Sequence, residues 1–352
     1  MPAAGFVHHF SPFAIQFSET FGIRWYGLAY LAGFVAGYYI IRWMSRRGLT
    51  PLSLEHVGDF VFNVAVGTIV GGRLGYCLLY SPDLFTSFKS SFPFWGVLAI
   101  NEGGMASHGG ICGILVASML FARKHGVDGF HLADLTTFGG SIGIFFGRIA
   151  NFVNGELVGR PCQTLHAWCV KFPHDILSWP TYEPEKLVNL TDGAAQLGVS
   201  RELWISAIQR MRFDAAAWEL INSSLTKIVE SIQSGNQAML TTVVPALTAR
   251  HPSQLYEAVL EGLLIFLIMF GTWYRARKPG VIFSLFFICY SLVRIAGEQF
   301  RMPDLQIGFQ SLGLTRGQWL SLGLLAFGLS AMVLSLRRRS DPMGGWGAPP
   351  KK

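Results

Sequence analysis

The chain has 352 residues, of which 51% are hydrophobic and only 14% charged, with a formal net charge of +7. That balance excludes an ordinary water-soluble enzyme and describes an integral membrane protein with room for one bundle of spans and a modest loop domain. The basic excess calls for no nucleic acid partner, because Lys and Arg gather in short segments between apolar runs, as cytoplasmic loops beside an anionic leaflet do.

In chain order, the first 21 residues lack a basic region followed by an apolar one, so they do not read as a cleavable signal and the first span is kept. A crossing helix needs about 20 predominantly apolar residues. Such stretches are predicted at 25–43, 57–80, 105–122, 132–152, 255–274, 281–300 and 320–336, which makes an all-α protein of seven transmembrane helices. The Phe-rich piece at 85–100 reads as interfacial or re-entrant at the outer surface. Residues 155–252 read as a periplasmic loop domain, with a helix expected at 201–220. Cys162 and Cys169 lie in that loop, where an oxidising compartment permits a disulfide without requiring one. Cys77, Cys112 and Cys289 fall in spans and read as small buried apolar residues.

Orientation comes from the connections. Arg42, Arg46 and Arg47 follow the first span, Arg123 and Lys124 the third, Arg275, Arg277 and Lys278 the fifth, and Arg337, Arg338 and Arg339 the seventh. The positive-inside rule makes that side cytoplasmic, so the amino terminus is periplasmic and the carboxyl terminus cytoplasmic. The chain then divides into 1–154 (spans one to four, with half of the site), 155–252 (the periplasmic loop domain), 253–340 (spans five to seven) and 341–352 (a cytoplasmic tail).

With that topology, the polar residues of six spans fall in one outer layer. Arg73, Arg148 and Arg294 come late in outward-running spans, while Arg24, Tyr26 and His108 come early in inward-running ones, and the fifth span is entered through residues 250–257. An arginine at the bilayer centre costs from about 3 to above 10 kcal/mol, so three in the alike settings Arg73-Leu74-Gly75, Arg148-Ile149-Ala150 and Arg294-Ile295-Ala296 call for a function that needs fixed positive charge. The natural partner is a phosphate. Tyr290, Arg294 and Glu298 recur every four residues and make one helical stripe, which Arg301 extends. Glu257 and Glu261 are also four apart and would repel if both were charged, so one is expected to be neutral or paired with Arg250. Asp59 and Asp134 lie near inner ends and read as helix-start residues. Gly139, Gly143 and Gly147 share one helix face and read as packing, whereas the glycines at 103–110 flank a helix start where free N–H groups could face an anion. His9, His166 and His174 read as solvated loop residues. No C-x-x-C pair and no H-E-x-x-H stretch occurs, so neither a metal nor a cofactor is expected.

Five stretches, Trp25-Tyr26-Gly27-Leu28, Gly71 to Tyr76, Gly103 to Gly110, Gly147 to Glu156 and Arg250 to Glu257, resemble in sequence and in order the signature stretches of bacterial phosphatidylglycerol:prolipoprotein diacylglyceryl transferase. The resemblance covers nearly all of the chain except the outer loop. It implies a seven-span enzyme of the bacterial inner membrane, its active site toward the periplasm, that moves the diacylglyceryl group of phosphatidylglycerol onto the lipobox cysteine of a prolipoprotein signal peptide and releases glycerol 1-phosphate. That is the first step of lipoprotein maturation, and its partners are phosphatidylglycerol, the prolipoprotein and membrane lipids. The positions that match the family's functional residues are Tyr26, His108, Arg148, Asn151, Glu156, Gly159, Tyr290, Arg294, Glu298 and Arg301. Ala150 stands where the family commonly has glycine, and the loop from Gly159 to Arg250 is long for the family.

The chemistry assigns His108, Arg148 and Arg294 to catalysis. The two arginines are expected to clamp the phosphate, with Tyr290 and Glu298 holding the Arg294 fork, and Arg73 stands as a third phosphate candidate or a snorkelling anchor. His108 is expected to take the thiol proton or to orient the substrate. Tyr26, Asn151, Glu156, Gly159 and Arg301 complete the expected substrate contacts. A transporter for a phosphorylated molecule would also use arginines and broken helices, but its polar groups should reach both faces.

Overall fold

The computed structural model describes residues 6–17, 22–90, 92–100, 103–164, 168–302 and 310–347. A short strand β1 (Phe6–Val7) and the antiparallel pair β2 (Phe13–Gln16) and β3 (Gly22–Arg24) lead directly into α1 (Trp25–Arg46). Next come α2 (Leu54–Leu79), α3 (Ser107–His125) and α4 (Gly129–Asn154). Left-handed Gly126 (φ 65°) stops α3, and Asp128 opens α4 by accepting the N–H groups of Phe130 (2.8 Å) and His131 (3.2 Å).

The loop after α4 holds β4 (Val170–Lys171), then α5 (Trp179–Tyr182), α6 (Thr191–Gln196), α7 (Arg201–Arg210), α8 (Ala215–Gln233), α9 (Gln237–Val243) and β5 (Ala249–Arg250). These helices close over their own core, in which Ile176, Trp179, Trp204, Ile221, Leu225 and Ile228 are fully buried. The single helix expected at 201–220 is two helices. Asp214 breaks it by accepting the N–H groups of Ala216 (2.9 Å) and Ala217 (3.3 Å) and so capping α8. β4 pairs with β1 in parallel and with β5 in antiparallel fashion, which ties the amino-terminal strand to both edges of the loop. Cys162 and Cys169 are bonded as a disulfide, which the sequence left open.

Then α10 (Ser253–Glu257), a π-helical stretch (Ala258–Leu264) and α11 (Ile265–Thr272) form one helical run, followed by α12 (Val281–Gly297) and α13 (Arg316–Arg337). Each of the seven stretches read from hydropathy is helical. Among the described residues, Leu54–Leu79, Ser253–Thr272 and Arg316–Arg337 are long and apolar enough to cross a membrane by that measure alone, and Val281–Gly297 is a shorter apolar helix.

The chain folds as two compact units. The first comprises Met1–Tyr30, Phe145–Glu261 and Val293–Ser321, and the second Leu31–Ile144, Gly262–Leu292 and Leu322–Lys352.

In the second unit, glycines let helix backbones touch. A Cβ on Gly33 of α1 would lie 2.8 Å from the Gly143 Cα of α4, and one on Gly75 of α2 would lie 2.7 Å from the Gly109 Cα of α3. Gly139 meets Gly37, so the glycine face of α4 is a packing face at two of its three positions; Gly147 has nothing within 4 Å. Asp134 is not a start residue of its own helix. It is 1% exposed and accepts the N–H groups of Gly280 (2.8 Å) and Phe283 (2.7 Å), which caps α12 from α4. Cys112, expected to be buried, is exposed.

The segment after α13 is no loose tail as far as Gly347. Met343 exchanges backbone hydrogen bonds with Arg277 (2.7 and 3.0 Å), and the Trp273 indole donates to the Met343 carbonyl (2.9 Å). Gly344 and Gly345, both at positive φ, press against Trp273 and Ala276, where a Cβ would collide. They deliver Trp346, 7% exposed, onto the ring of Phe270 with centroids 4.4 Å apart and beside Trp43, Phe138 and Trp273.

Candidate active site

In the first unit, three guanidinium groups and three carboxylates converge. α4 supplies Arg148, the helical run from Ser253 supplies Glu257 and Glu261, α12 supplies Arg294, and the chain just beyond α12 supplies Glu298 and Arg301. Arg148 pairs with Glu257 at 3.0 Å and with Glu261 at 2.8 Å. Arg294 pairs with Glu257 at 2.7 Å, Glu261 at 3.2 Å and Glu298 at 2.8 Å, and Arg301 reaches Glu257 at 3.4 Å. Glu298 also accepts the Thr315 hydroxyl at 3.0 Å.

The acids lie deeper than the bases. Glu257 and Glu261 side chains are 1% exposed and Glu298 3%, against 17% for Arg148 and 12% for Arg294. The carboxylates therefore orient the guanidinium groups from behind, and the guanidinium edges are the part of the cluster nearer solvent. A π-helical stretch, frequent at functional sites, carries Glu261 here and keeps it in reach of the same two arginines as Glu257. Arg250, expected beside these acids, instead binds Asp175 through two nitrogens at 2.9 and 2.8 Å.

A second polar cluster of the first unit lies at the end of α4. The Tyr26 hydroxyl donates to Glu156 at 2.8 Å and accepts from the Asn151 amide. The chain turns at left-handed Gly155 (φ 70°), which lets the Glu156 N–H return to the Asn151 carbonyl at 3.0 Å. The Gln254 side chain donates to the Glu156 carbonyl, so the start of α10 fixes this turn. Gly159 follows and donates to the His251 carbonyl at 3.1 Å, while Arg160 donates its N–H to Phe300 at 2.8 Å. A Cβ at Gly159 would strike the His251 carbonyl and stand 2.7 Å from that of Phe300, so only glycine fits between the two strands of chain.

Beside this turn lie histidines outside the helices. His8 is 2% exposed and surrounded by the rings of Phe10, Phe152 and Phe172 at 5.2, 5.5 and 5.3 Å. Burial pushes its imidazole down from the usual value to about 4. His174, read as solvated, is half-buried and also lowered by burial. His9 is exposed, and His166 lies outside the described residues.

In the second unit, His108 is an exposed residue of the first turn of α3, and Tyr290 lies on α12 with its ring stacked on Phe286 at 5.9 Å. Arg73 is 4% exposed and its guanidinium donates to four backbone carbonyls: Val97 (2.8 Å), Gly96 (2.6 Å), Gly104 (3.0 Å) and Gly103. The hydrogen bonds of its fork thus go to main chain rather than toward open solvent.

Of the residues singled out from the sequence, Arg148, Arg294, Glu298 and Arg301 form one cluster in the first unit, and Tyr26, Asn151 and Glu156 another. Glu257 and Glu261 were not assigned to the site; their signal is two acids four residues apart inside an apolar run.

These features define a helical membrane protein whose partly buried guanidinium groups are held by buried acids. Residues 12–334 match the family described as prolipoprotein diacylglyceryl transferase. The chain is 54% identical over 340 residues to the phosphatidylglycerol--prolipoprotein diacylglyceryl transferase of Bdellovibrio bacteriovorus, covering 97% of each chain. It is 35% identical to the protein of that name from Bradyrhizobium diazoefficiens, over 94% of this chain and 93% of the relative, and 34% identical to that of Rhodospirillum rubrum, over 92% and 91%. The chain belongs to the prolipoprotein diacylglyceryl transferase family.

Proposed function

We infer that the protein transfers the diacylglyceryl group of phosphatidylglycerol to the thiol of a prolipoprotein's lipobox cysteine, and that the cluster of Arg148, Arg294 and Arg301 receives the phosphate. The observation that carries this assignment is the burial gradient, with acids beneath and guanidinium groups above. In the reaction the cysteine sulfur attacks the glycerol carbon that bears the phosphate ester. The carbon–oxygen bond breaks, a carbon–sulfur bond forms, and glycerol 1-phosphate leaves with its negative charge growing. Guanidinium groups stay protonated and bind phosphate oxygens in pairs, so fixed ones stabilise that leaving group best where water is scarce.

A free thiol has a pKa of about 8.5, so a base helps at neutral pH. His108 takes the thiol proton, which suits an imidazole at an exposed helix start. Tyr26, Asn151 and Glu156 form a preset hydrogen-bonding group for the glycerol or peptide part, Gly159 keeps the adjoining backbone close, and Glu298 steadies Arg294.

The seven helices are the transmembrane spans of a multi-pass protein of the bacterial inner membrane. The basic clusters after α1, α3, the run ending at Thr272 and α13 support an amino terminus and loop domain (155–252) in the periplasm and residues 341–352 in the cytoplasm. The bonded Cys162 and Cys169 support an oxidising compartment for the loop.

Purified protein in detergent, given phosphatidylglycerol and a synthetic lipobox peptide with Cys or Ser, tests the reading. Lipidation of the Cys peptide alone, with release of glycerol phosphate, is expected. Glycerol phosphate release with the Ser peptide, or none with either, overturns it.

A further inference from the structure

We propose that Arg73 is a positioning residue that holds the start of α3, and with it His108, rather than a ligand for the lipid phosphate. One guanidinium group joins two separate pieces of backbone, Gly96 with Val97 on one side and Gly103 with Gly104 on the other. Arginine alone can do this, because its planar fork presents donors in several fixed directions. The second piece leads straight into α3. Ala106 donates its N–H to the Gly72 carbonyl at 2.9 Å, next to Arg73 in the chain, so α2 grips the approach to His108 at two successive residues.

Glycine is required for the fit. Gly103 and Gly104 have φ of 87° and 79°, and a Cβ on Gly104 would lie 2.8 Å from the Arg73 Nη1 and against the Tyr76 ring. Both glycines turn their carbonyls onto the guanidinium, so the Gly103 to Gly110 stretch begins as an arginine cage and continues as the first turn of α3. With Arg73 4% exposed and four of its five N–H donors on these carbonyls, at most one is left for a phosphate. The arginines of the first-unit cluster are backed by acids.

This inference rests on the assignment of His108 to the thiol proton, and the experiment separates the two. Arg73→Lys keeps the charge and loses the fork, while Gly104→Ala keeps Arg73 and disturbs the cage. Both variants should lower kcat about tenfold or more and leave the KM for phosphatidylglycerol within about twofold. Both should also change the rate at which diethylpyrocarbonate acylates His108 in substrate-free protein, read by mass spectrometry of the peptide that contains it. On a His108→Gln background, Arg73→Lys should add nothing, because both act through one group.

A raised KM with unchanged acylation of His108, or effects of Arg73→Lys and His108→Gln that multiply, would show Arg73 acting on the lipid and overturn the proposal. If His108→Gln alone is nearly as active as the parent, the proton assignment fails. The acylation rate then still decides whether Arg73 sets the position of His108, and an unchanged rate rejects it.

Discussion

Replacing Glu257 by glutamine keeps the shape of the side chain and removes its charge. The carboxylate is 1% exposed and faces Arg294 at 2.7 Å, Arg148 at 3.0 Å and Arg301 at 3.4 Å, so three guanidinium groups would be left with two acids. Removing one partner of a buried ion pair costs about 3–5 kcal/mol. The glutamine oxygen still accepts one hydrogen bond, which places the expected loss near the lower end, about 3 kcal/mol. For a protein of 352 residues the unfolding midpoint should fall by roughly 4 °C. Turnover should respond differently from lipid binding. The surplus positive charge favours an anion, so the KM for phosphatidylglycerol should not rise, while loss of the fixed arginine geometry should lower kcat by about 100-fold. Thermal unfolding in detergent and steady-state peptide lipidation measure the two effects. A midpoint within about 2 °C of the parent together with an unchanged kcat would falsify the view that buried acids hold the arginines in place.

Other perturbations reach the frame rather than the cluster. Asp134→Ala strips two N–H acceptors from the start of α12 and should destabilise the protein by about 1–3 kcal/mol, with Asp134→Asn recovering part of it; equal midpoints for all three proteins would refute the cap. Trp346→Ala empties a nearly closed aromatic site and should cost about 3–5 kcal/mol, whereas a midpoint like the parent's would mean that the strap formed by residues 343–347 is not seated in solution. His8 supplies a pH dependence. Its folded value of about 4 lies below the unfolded value of about 6.5, so the unfolded chain takes the proton first. Its stabilisation is complete above about pH 6.5 and is lost as pH falls toward 4, at most on the order of 3 kcal/mol. His174, lowered by burial as well, adds in the same direction. A His8→Phe variant should therefore lose less stability than the parent between those limits, and parallel pH profiles would rule out this source.

Helices were legible because their signal is local. The stretch read as 25–43 is the helix Trp25–Arg46, and that read as 320–336 is Arg316–Arg337. Partners were less legible. The four-residue rhythm of Glu257 and Glu261 puts two acids on one face, but nothing local says that Arg148, more than 100 residues earlier, meets them, or that Arg250 turns away to Asp175. Arg73 showed the same limit in reverse. Its sequence setting is like those of Arg148 and Arg294, yet its fork is taken up by carbonyls that come from a loop without periodicity. Asp134 looked like a helix-start residue and does cap a helix, but one that begins 147 positions later at Val281. In each case the residue type announced a need for a partner, and only the fold chose it.

The strap at 343–347 also bears on how the chain comes to be made. Trp43, Phe138 and Trp273 belong to helices or helix ends that leave the ribosome well before Trp346 does, so their shared aromatic site stays unfilled when α13 has already been synthesised. Closure of that site comes after α13 in chain order. A chain stalled or cut between α13 and Met343 would carry all its helices and still present these rings to the surroundings, a difference that a quality-control protease could read.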